Sequence, residues 1–311
     1  MHSQAQGRVV SENPMASKVL GGERIVRIYL PPSYESAMDR RFPVLYVHDG
    51  QNAFSTVGTN VAFGWGNWEL DLTTTRLIGE KKLREIILVA VDASNLRYEE
   101  YRGWARPLPQ DRPADESTPG RRRSPYAGDN TPYERHAKFL VEELKPKIDR
   151  EYRTLPGPAD TATLGSSMGG ICSVALAWRR PDVFGSAASF SGAFQVENRY
   201  FISQVLRKWA GSPKPFRLYI DSGVTDYTGG DDGAKDTKTV ADLFAANGWT
   251  PGTYLMHYVD ATPLKGSALA STGLRADKWD EAGRSQHNEF YWRLRAWRAL
   301  TFLFPPDSPQ H

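Results

Sequence analysis

Two runs, PVLYV at 43–47 and EIILVAV at 85–91, are apolar almost without interruption. Strands of that kind must be covered on both faces, which an antiparallel hairpin with one face in water does not provide. An earlier run, RIVRIYL at 24–30, alternates with period two and stops at Pro31 and Pro32, as a strand with one buried face does. Helical spacing separates and follows these runs. Residues 70–78 supply a crossover between the two apolar strands. In 132–152 the apolar positions Phe139, Leu140, Leu144 and Ile148 recur at helical intervals behind Pro132, a residue tolerated in a first turn. Further strands are expected at 161–164, 185–190, 216–220 and 253–259, and further helices at 170–178, 200–209, 235–247 and 288–302. This alternation predicts an α/β fold: a mostly parallel central sheet, right-handed crossovers and helices on both faces.

With 311 residues, 40% hydrophobic and 24% charged, the chain has material for one large core. The expected organisation is a polar N-terminal arm at 1–20, one catalytic domain at 21–305 and a tail at 306–311. A net charge of +3 gives no reason to expect nucleic acid or an anionic membrane as partner. No run approaches the roughly 18 apolar residues of a membrane span. Residues 1–20 lack a signal-peptide core, which leaves both a cytoplasmic protein and a secreted one with its leader removed open. Cys172 is the single cysteine, so no intramolecular disulfide forms, and its place on an expected helix reads as a small buried residue. No cofactor is expected, and no metal-ligand spacing stands out. Residues 92–131, rich in proline, arginine and glycine, form a long aperiodic connection, and its Arg121, Arg122 and Arg123 read as a solvated loop.

The chemistry concentrates at GSSMG, 165–169, between the expected strand at 161–164 and the helix at 170–178. A serine at the apex of such a strand–turn–helix unit is exposed at the sheet end, and its flanking glycines let strand and helix pass closely. Ser167 is therefore the candidate nucleophile, with the backbone N–H of Met168 as one oxyanion donor. A serine hydroxyl needs a base and something to orient it, and in this arrangement the acid and then the histidine follow the serine along the chain. Of six histidines, His2, His48 and His136 precede it, His311 is terminal and His257 lies inside a strand. His287, in a loop before the closing helix, remains as the base. The acid is sought after the strand at 216–220, where Asp221, Asp226, Asp231 and Asp232 compete. Asp226 is favoured, because Asp221 continues the strand and the other two sit deeper in a glycine-rich loop. The second oxyanion donor is expected from the turn after 43–47, with Gln51 the best candidate behind Gly50.

Together these pieces resemble the putative-esterase family of α/β-hydrolases, which includes esterase D-like enzymes, feruloyl esterases, siderophore esterases and antigen 85-like mycolyltransferases. The matching segments are YLPPSY at 29–34, VHDGQN at 47–52, FLVEELKP at 139–146, GSSMGG at 165–170, RPDVF at 180–184, GVTD at 223–226 and HNE at 287–289. The resemblance runs from about residue 24 to 304. It implies the α/β-hydrolase fold, Ser167, Asp226 and His287 as nucleophile, acid and base, and Gln51 and Met168 as oxyanion donors. Two departures, around 102–124 and at 260–286, are bulkier than the family core and bear on the substrate.

The expected function is a serine carboxylic-ester hydrolase working through an acyl-enzyme on an acylated saccharide, hydroxycinnamoyl or siderophore-type ester. An acyltransferase with the same triad and an inactive binding protein on the same fold are the alternatives. Of nine tryptophans, Trp65, Trp68, Trp104 and Trp279 fall in loop-like regions, where they either line a pocket for an aromatic acyl group or sugar face, or cover core edges.

Overall fold

A computed structural model describes residues 6–103 and 131–306. Trp104, the basic run at 121–123 and nearly all of the departure at 102–124 lie outside the described residues, as does the chain end beyond 306.

Eight strands form one sheet in the order β1-β2-β4-β3-β5-β6-β7-β8. β2 (Gly22–Leu30) pairs antiparallel with β4 (Ile87–Val91). From β4 onward, β3 (Val44–His48), β5 (Thr161–Ser166), β6 (Ser186–Phe190), β7 (Arg217–Ser222) and β8 (Leu255–Val259) are all parallel. The mostly parallel sheet follows from the helical connection behind each interior strand.

The polar arm expected at 1–20 contains a strand instead. β1 (Arg8–Ser17) pairs antiparallel with β2 from Arg8 opposite Leu30 to Ser17 opposite Gly22, with a register shift between Val9 and Ser11. An edge strand gains its ladder from backbone groups and covers little core, so its sequence carries no apolar alternation, and Pro14 is tolerated there.

Alternate residues of the interior strands feed two layers. Leu45, Val47, Leu88, Ala90 and Leu164 pack with Leu70 and Leu77 of α1 (Leu70–Gly79) and with Trp292, Ala296 and Leu300 of α10 (Glu289–Leu303). On the other face, Val44, Tyr46, Ile87 and Val89 pack with Ile171 and Val174 of α5 (Met168–Arg179) and Val240 and Phe244 of α7 (Ala234–Ala246). The short helices α2 (Arg97–Tyr101) and α6 (Val196–Tyr200) lie in connections, and the helix expected over 132–152 joins this second layer as three continuous pieces. These are α3 (Pro132–Lys138), a π-type segment (Phe139–Leu144) and α4 (Lys145–Glu151). Pro146 has no N–H to donate into an α ladder, and the wider turn just before it accommodates that loss.

The segment at 260–286 contributes the one-turn helices α8 (Ser267–Ala270) and α9 (Trp279–Ala282). Its Leu269, Leu274 and Ala282 make a small separate core with Trp65, Phe290 and Tyr291. The segment is thus packed onto the chain that follows β3.

Candidate active site

Ser167 sits between β5 and α5 at φ 51° and ψ −117°, a conformation that L-residues seldom adopt. Such strain costs on the order of 1–3 kcal/mol and persists only where the surroundings enforce it. Here Ser167 N–H donates to Phe190 O at 2.8 Å, and Ser167 O accepts from Ala193 N–H at 2.9 Å and Gly170 N–H at 3.1 Å. The glycines have a steric cause. A Cβ on Gly165 would lie 2.4 Å from the backbone of Gly169, and one on Gly170 would lie 2.5 Å from Ser189 Oγ. At Gly165 the obstacle is backbone, so β5 and α5 could not approach this closely with a side chain there.

The Ser167 hydroxyl does not cap its own helix, and its Oγ lies 3.0 Å from His287 Nε2. His287 immediately precedes Asn288, whose side chain accepts from Tyr291 N–H at 3.2 Å and caps α10. One residue earlier, Gln286 ties this segment to the loop after β7. Its N–H donates to Thr225 O at 2.8 Å and its Oε1 accepts from Val224 N–H at 2.7 Å. His287 is therefore held by a helix start on one side and a two-point splice on the other.

The carboxylate beside His287 belongs to Asp232, where Asp226 was expected. Asp232 Oδ1 lies 2.6 Å from His287 Nδ1, and its side chain is fully buried. Its other oxygen accepts from Gly223 N–H at 2.6 Å and from the Ser191 hydroxyl. Asp226 is turned outward into its own loop. Its Oδ1 accepts from Thr228 N–H at 2.8 Å, Thr228 Oγ1 at 2.6 Å and Gly230 N–H at 3.0 Å. Partial burial opposes ionisation of Asp226, but these hydrogen bonds outweigh it and hold the carboxyl below its usual value. A short polar side chain with nearby free N–H groups closes a turn on itself before it reaches across space. That turn reverses the chain and returns Asp232 to the sheet edge.

The two other acids fall elsewhere. Asp231 lies partly exposed, 3.8 Å from Lys235 Nζ. Asp221, at the end of β7, is buried and accepts from Tyr219 OH at 2.9 Å and Arg295 Nε at 3.2 Å. Burial pushes its carboxyl up to about 6 against the pull of Arg295. Arg295 also donates to Ser191 Oγ at 2.9 Å, and the Trp292 indole N–H reaches the same oxygen at 3.1 Å. With both donors pointed at its lone pairs, the Ser191 hydroxyl is left to donate to Asp232. The imidazole orientation is thus set by a buried chain from Arg295 through Ser191 to Asp232. No local motif marks Ser191 or Arg295, so the sequence reading passed over both.

The turn after β3 is pinned at each residue. Asp49, at φ 58°, takes a bidentate pair from Arg97, Nε to Oδ1 at 2.6 Å and Nη2 to Oδ2 at 2.7 Å. Gly50 has no room for a Cβ, which would stand 2.8 Å from the backbone of Ala90 and Val91. Gln51 Oε1 accepts from Ala93 N–H at 2.9 Å. Asn52 Nδ2 donates to Glu289 Oε1 at 3.1 Å, joining this turn to the start of α10. Burial, with the charge of Asp49 adding to it, pushes the Glu289 carboxyl up to about 7. Met168 opens α5, where the first N–H groups of a helix have no carbonyl of their own. Among the described residues neither the Met168 nor the Gln51 N–H donates to a backbone carbonyl.

The tryptophans expected around a pocket are packing residues where they are described. Trp68 is 1% exposed and packs edge-on to Phe190 and Trp292 inside the core. Trp65 is buried in the small third core, with Lys278 Nζ 4.8 Å from its ring centre. Trp279 packs against that same core and donates its indole N–H to Leu274 O at 2.9 Å. Two aromatics flank His287, the buried Trp292, with ring centres 5.1 Å apart, and an exposed one the sequence reading missed, Tyr227. It is 74% exposed, with its ring centre 6.1 Å from that of His287.

Residues 17–242 match the family model described as Putative esterase. The chain belongs to the Putative esterase family. It is 27% identical over 177 residues to the uncharacterized protein YbbA of Bacillus subtilis (strain 168), a match spanning 57% of this chain and 60% of that relative. Among solved structures it is similar to a ferulic acid esterase, with TM-score 0.62, 18% identity and coverage of 96% of this chain and 98% of the other. The enterobactin esterase of Shigella flexneri, solved in the presence of enterobactin, gives TM-score 0.62 and 15% identity, covering 97% of this chain and 60% of that one. A ferulic acid esterase of the anaerobic fungus Anaeromyces mucronatus gives TM-score 0.55 and 18% identity, covering 92% and 91%. At these identities the likeness establishes the shared α/β-hydrolase fold.

Proposed function

We propose that the chain is a serine carboxylesterase that works through an acyl-enzyme on Ser167. The observation that carries this reading is the unbroken line from Ser167 Oγ to His287 Nε2 at 3.0 Å and from His287 Nδ1 to Asp232 Oδ1 at 2.6 Å. Asp232 takes the Nδ1–H, so Nε2 is left as the acceptor for the serine proton. Ser167 Oγ attacks the ester carbonyl carbon, and His287 removes the hydroxyl proton as the bond forms. Asp232 stays ionised and stabilises the imidazolium. The oxyanion collects on the N–H groups of Met168 and Gln51, each worth about 3–4 kcal/mol in the transition state. Collapse expels the alcohol, protonated by His287, and water repeats the sequence on the acyl-enzyme.

The substrate side of the proposal rests on Tyr227. An exposed aromatic beside the base offers a face on which a ring near the scissile bond would stack. A hydroxycinnamoyl ester, an acylated sugar or an aromatic siderophore ester would present such a ring, and the names of the solved neighbours include ferulic acid and enterobactin.

The test is labelling with a fluorophosphonate, followed by turnover of p-nitrophenyl acetate. The wild type is expected to take up one equivalent and to turn over, and Ser167→Ala to do neither. An unlabelled wild type without turnover would leave a binding protein on the same fold. Supplying a competing alcohol and recovering mainly transferred ester would make the chain an acyltransferase.

A further inference from the structure

Behind the nucleophile turn, on the face of the sheet covered by α5, lies a second buried polar cluster. His48 ends β3, His136 belongs to α3 and Cys172 to α5, and all three are at most 1% exposed. A ligating atom from each lies within 4.8 Å of the other two. The two imidazole rings are 5.4 Å apart, and both contact the Tyr101 ring, at 4.9 and 5.1 Å. Among the described residues, both ring nitrogens of His136 and the Nδ1 of His48 have no hydrogen-bond partner. A buried polar atom left in that state costs about 1–3 kcal/mol, so three of them in contact call for a shared partner.

The hydrogen bonds around His48 point to what kind of partner. Ser173 donates its hydroxyl proton to Gly169 O at 2.9 Å, and Thr163 Oγ1 donates onto Ser173 Oγ at 3.4 Å. Thr163 Oγ1 also meets His48 Nε2 at 3.3 Å, so among the described residues that ring nitrogen has a partner and Nδ1 has none. A histidine with one ring nitrogen held by a neighbour and the other free is arranged as a metal ligand is.

We propose that His48 Nδ1, a ring nitrogen of His136 and Cys172 Sγ form a buried site of two nitrogens and one sulfur for a thiophilic cation with a filled d shell, Zn2+ or Cu+. Donor atoms around such an ion stand about 3.3–4 Å apart, given metal–nitrogen and metal–sulfur bonds near 2.0 and 2.3 Å. Closing from 4.8 Å needs a contraction of about 0.8–1.5 Å at most, within reach of side-chain torsions. Binding releases the Cys172 thiol proton to solvent as the sulfur–metal bond forms, and no redox change is involved. A thiolate with Cu+ leaves the core neutral, whereas Zn2+ leaves one positive charge and looks for a fourth ligand. The three ligands are 88 and 36 positions apart in the chain, from 48 to 136 and from 136 to 172, so no spacing motif announces them.

The experiment is a titration of chelator-stripped wild-type protein with Zn2+, and separately with Cu+ held reduced under nitrogen, each against a chromophoric chelator. One equivalent of one of the two ions is expected to be retained, with a rise in Tm on loading. Cys172→Ala and His136→Phe are expected to lose at least tenfold in affinity and the Tm rise, while His257→Ala keeps both. Where a variant does not fold, Co2+ in the wild type decides, because a thiolate ligand gives a near-ultraviolet charge-transfer band. Retention of neither ion, or wild-type retention equal to that of Cys172→Ala, overturns the proposal and leaves an enclosed water as the partner of the histidines. A wild type without the Co2+ band that also fails to bind Cu+ overturns it as well.

Discussion

Two carboxylates in one short loop, Asp226 and Asp232, share the same neighbourhood and meet opposite fates. Asp226 accepts three hydrogen bonds from its own turn and faces outward. Asp232 lies fully buried and accepts from groups brought by distant parts of the chain, Ser191 and His287, as well as from Gly223 at the start of the loop. The difference lies in who satisfies the lone pairs. A carboxylate served by N–H groups two to four residues away gives the loop its shape. One served across the fold orients another side chain, and its burial makes that interaction strong because water does not compete.

Exchanging the two acids for amides puts this contrast at its most extreme. Asp232→Asn is expected to lower kcat by about 10^3–10^4-fold, because an amide at that place no longer favours the imidazole tautomer with its proton on Nδ1. Asp226→Asn keeps an oxygen for the same three donors and gives up only the charge, at about 1 kcal/mol, and is expected to keep kcat within about threefold. Steady-state rates on one p-nitrophenyl ester, with circular dichroism to confirm folding, decide between them. The reverse ranking would return the acid role to Asp226.

This reversal also marks where the sequence stopped being legible. Ser167 could be read because strand, turn, glycines and helix are contiguous, and His287 because elimination left one histidine before a closing helix. Asp232 could not. Its selection depends on Thr228 and Gly230 closing a turn around Asp226, a competition among hydrogen bonds that residue order alone does not resolve. β1 was hidden for a different reason, since an edge strand buries too little to carry an apolar pattern. Trp65 and Trp279 were ambiguous because the segment at 260–286 folds down on them, and loop composition is silent about which loops pack. Arg295 sits on α10 among aromatic residues, where an arginine reads as surface until Asp221 is found beneath it.

The inner end of the loop is open to a second, smaller perturbation through that arginine. Arg295 is 2% exposed and lies 3.1 Å from Asp221 and 3.9 Å from Asp232. Arg295→Met keeps the stem and leaves both carboxylates without their cation, an expected loss of about 3–5 kcal/mol. The loss has a direction in pH. Asp221 is pushed up to about 6 by burial from an ordinary 3.8, so it holds its proton more tightly in the fold than in the unfolded chain. Its protonated form therefore favours the fold most below about 4, and that contribution fades as pH rises through about 6. Urea unfolding at pH 5 and pH 8 is expected to show the variant losing more at pH 8. Equal losses at both would mean that Asp221 keeps one charge state from pH 5 to pH 8, against the raised value that its burial implies.

The outer tip of the loop yields the smallest effect, and one of another kind. The turn that occupies Asp226 also projects Tyr227 into solvent beside His287. If that ring is a stacking face for substrate, Tyr227→Ala should raise KM for a feruloyl ester by about 3- to 10-fold, the equivalent of about 0.5–1.5 kcal/mol of aromatic contact. Turnover of p-nitrophenyl acetate, with only a methyl on the acyl side, should change far less when kcat/KM is compared between variant and wild type. Tyr227→Phe, which keeps the face and loses the hydroxyl, should behave as wild type on both. Equal losses on the two esters would make Tyr227 a support for the histidine, and the inner and outer ends of the loop would then serve one purpose rather than two.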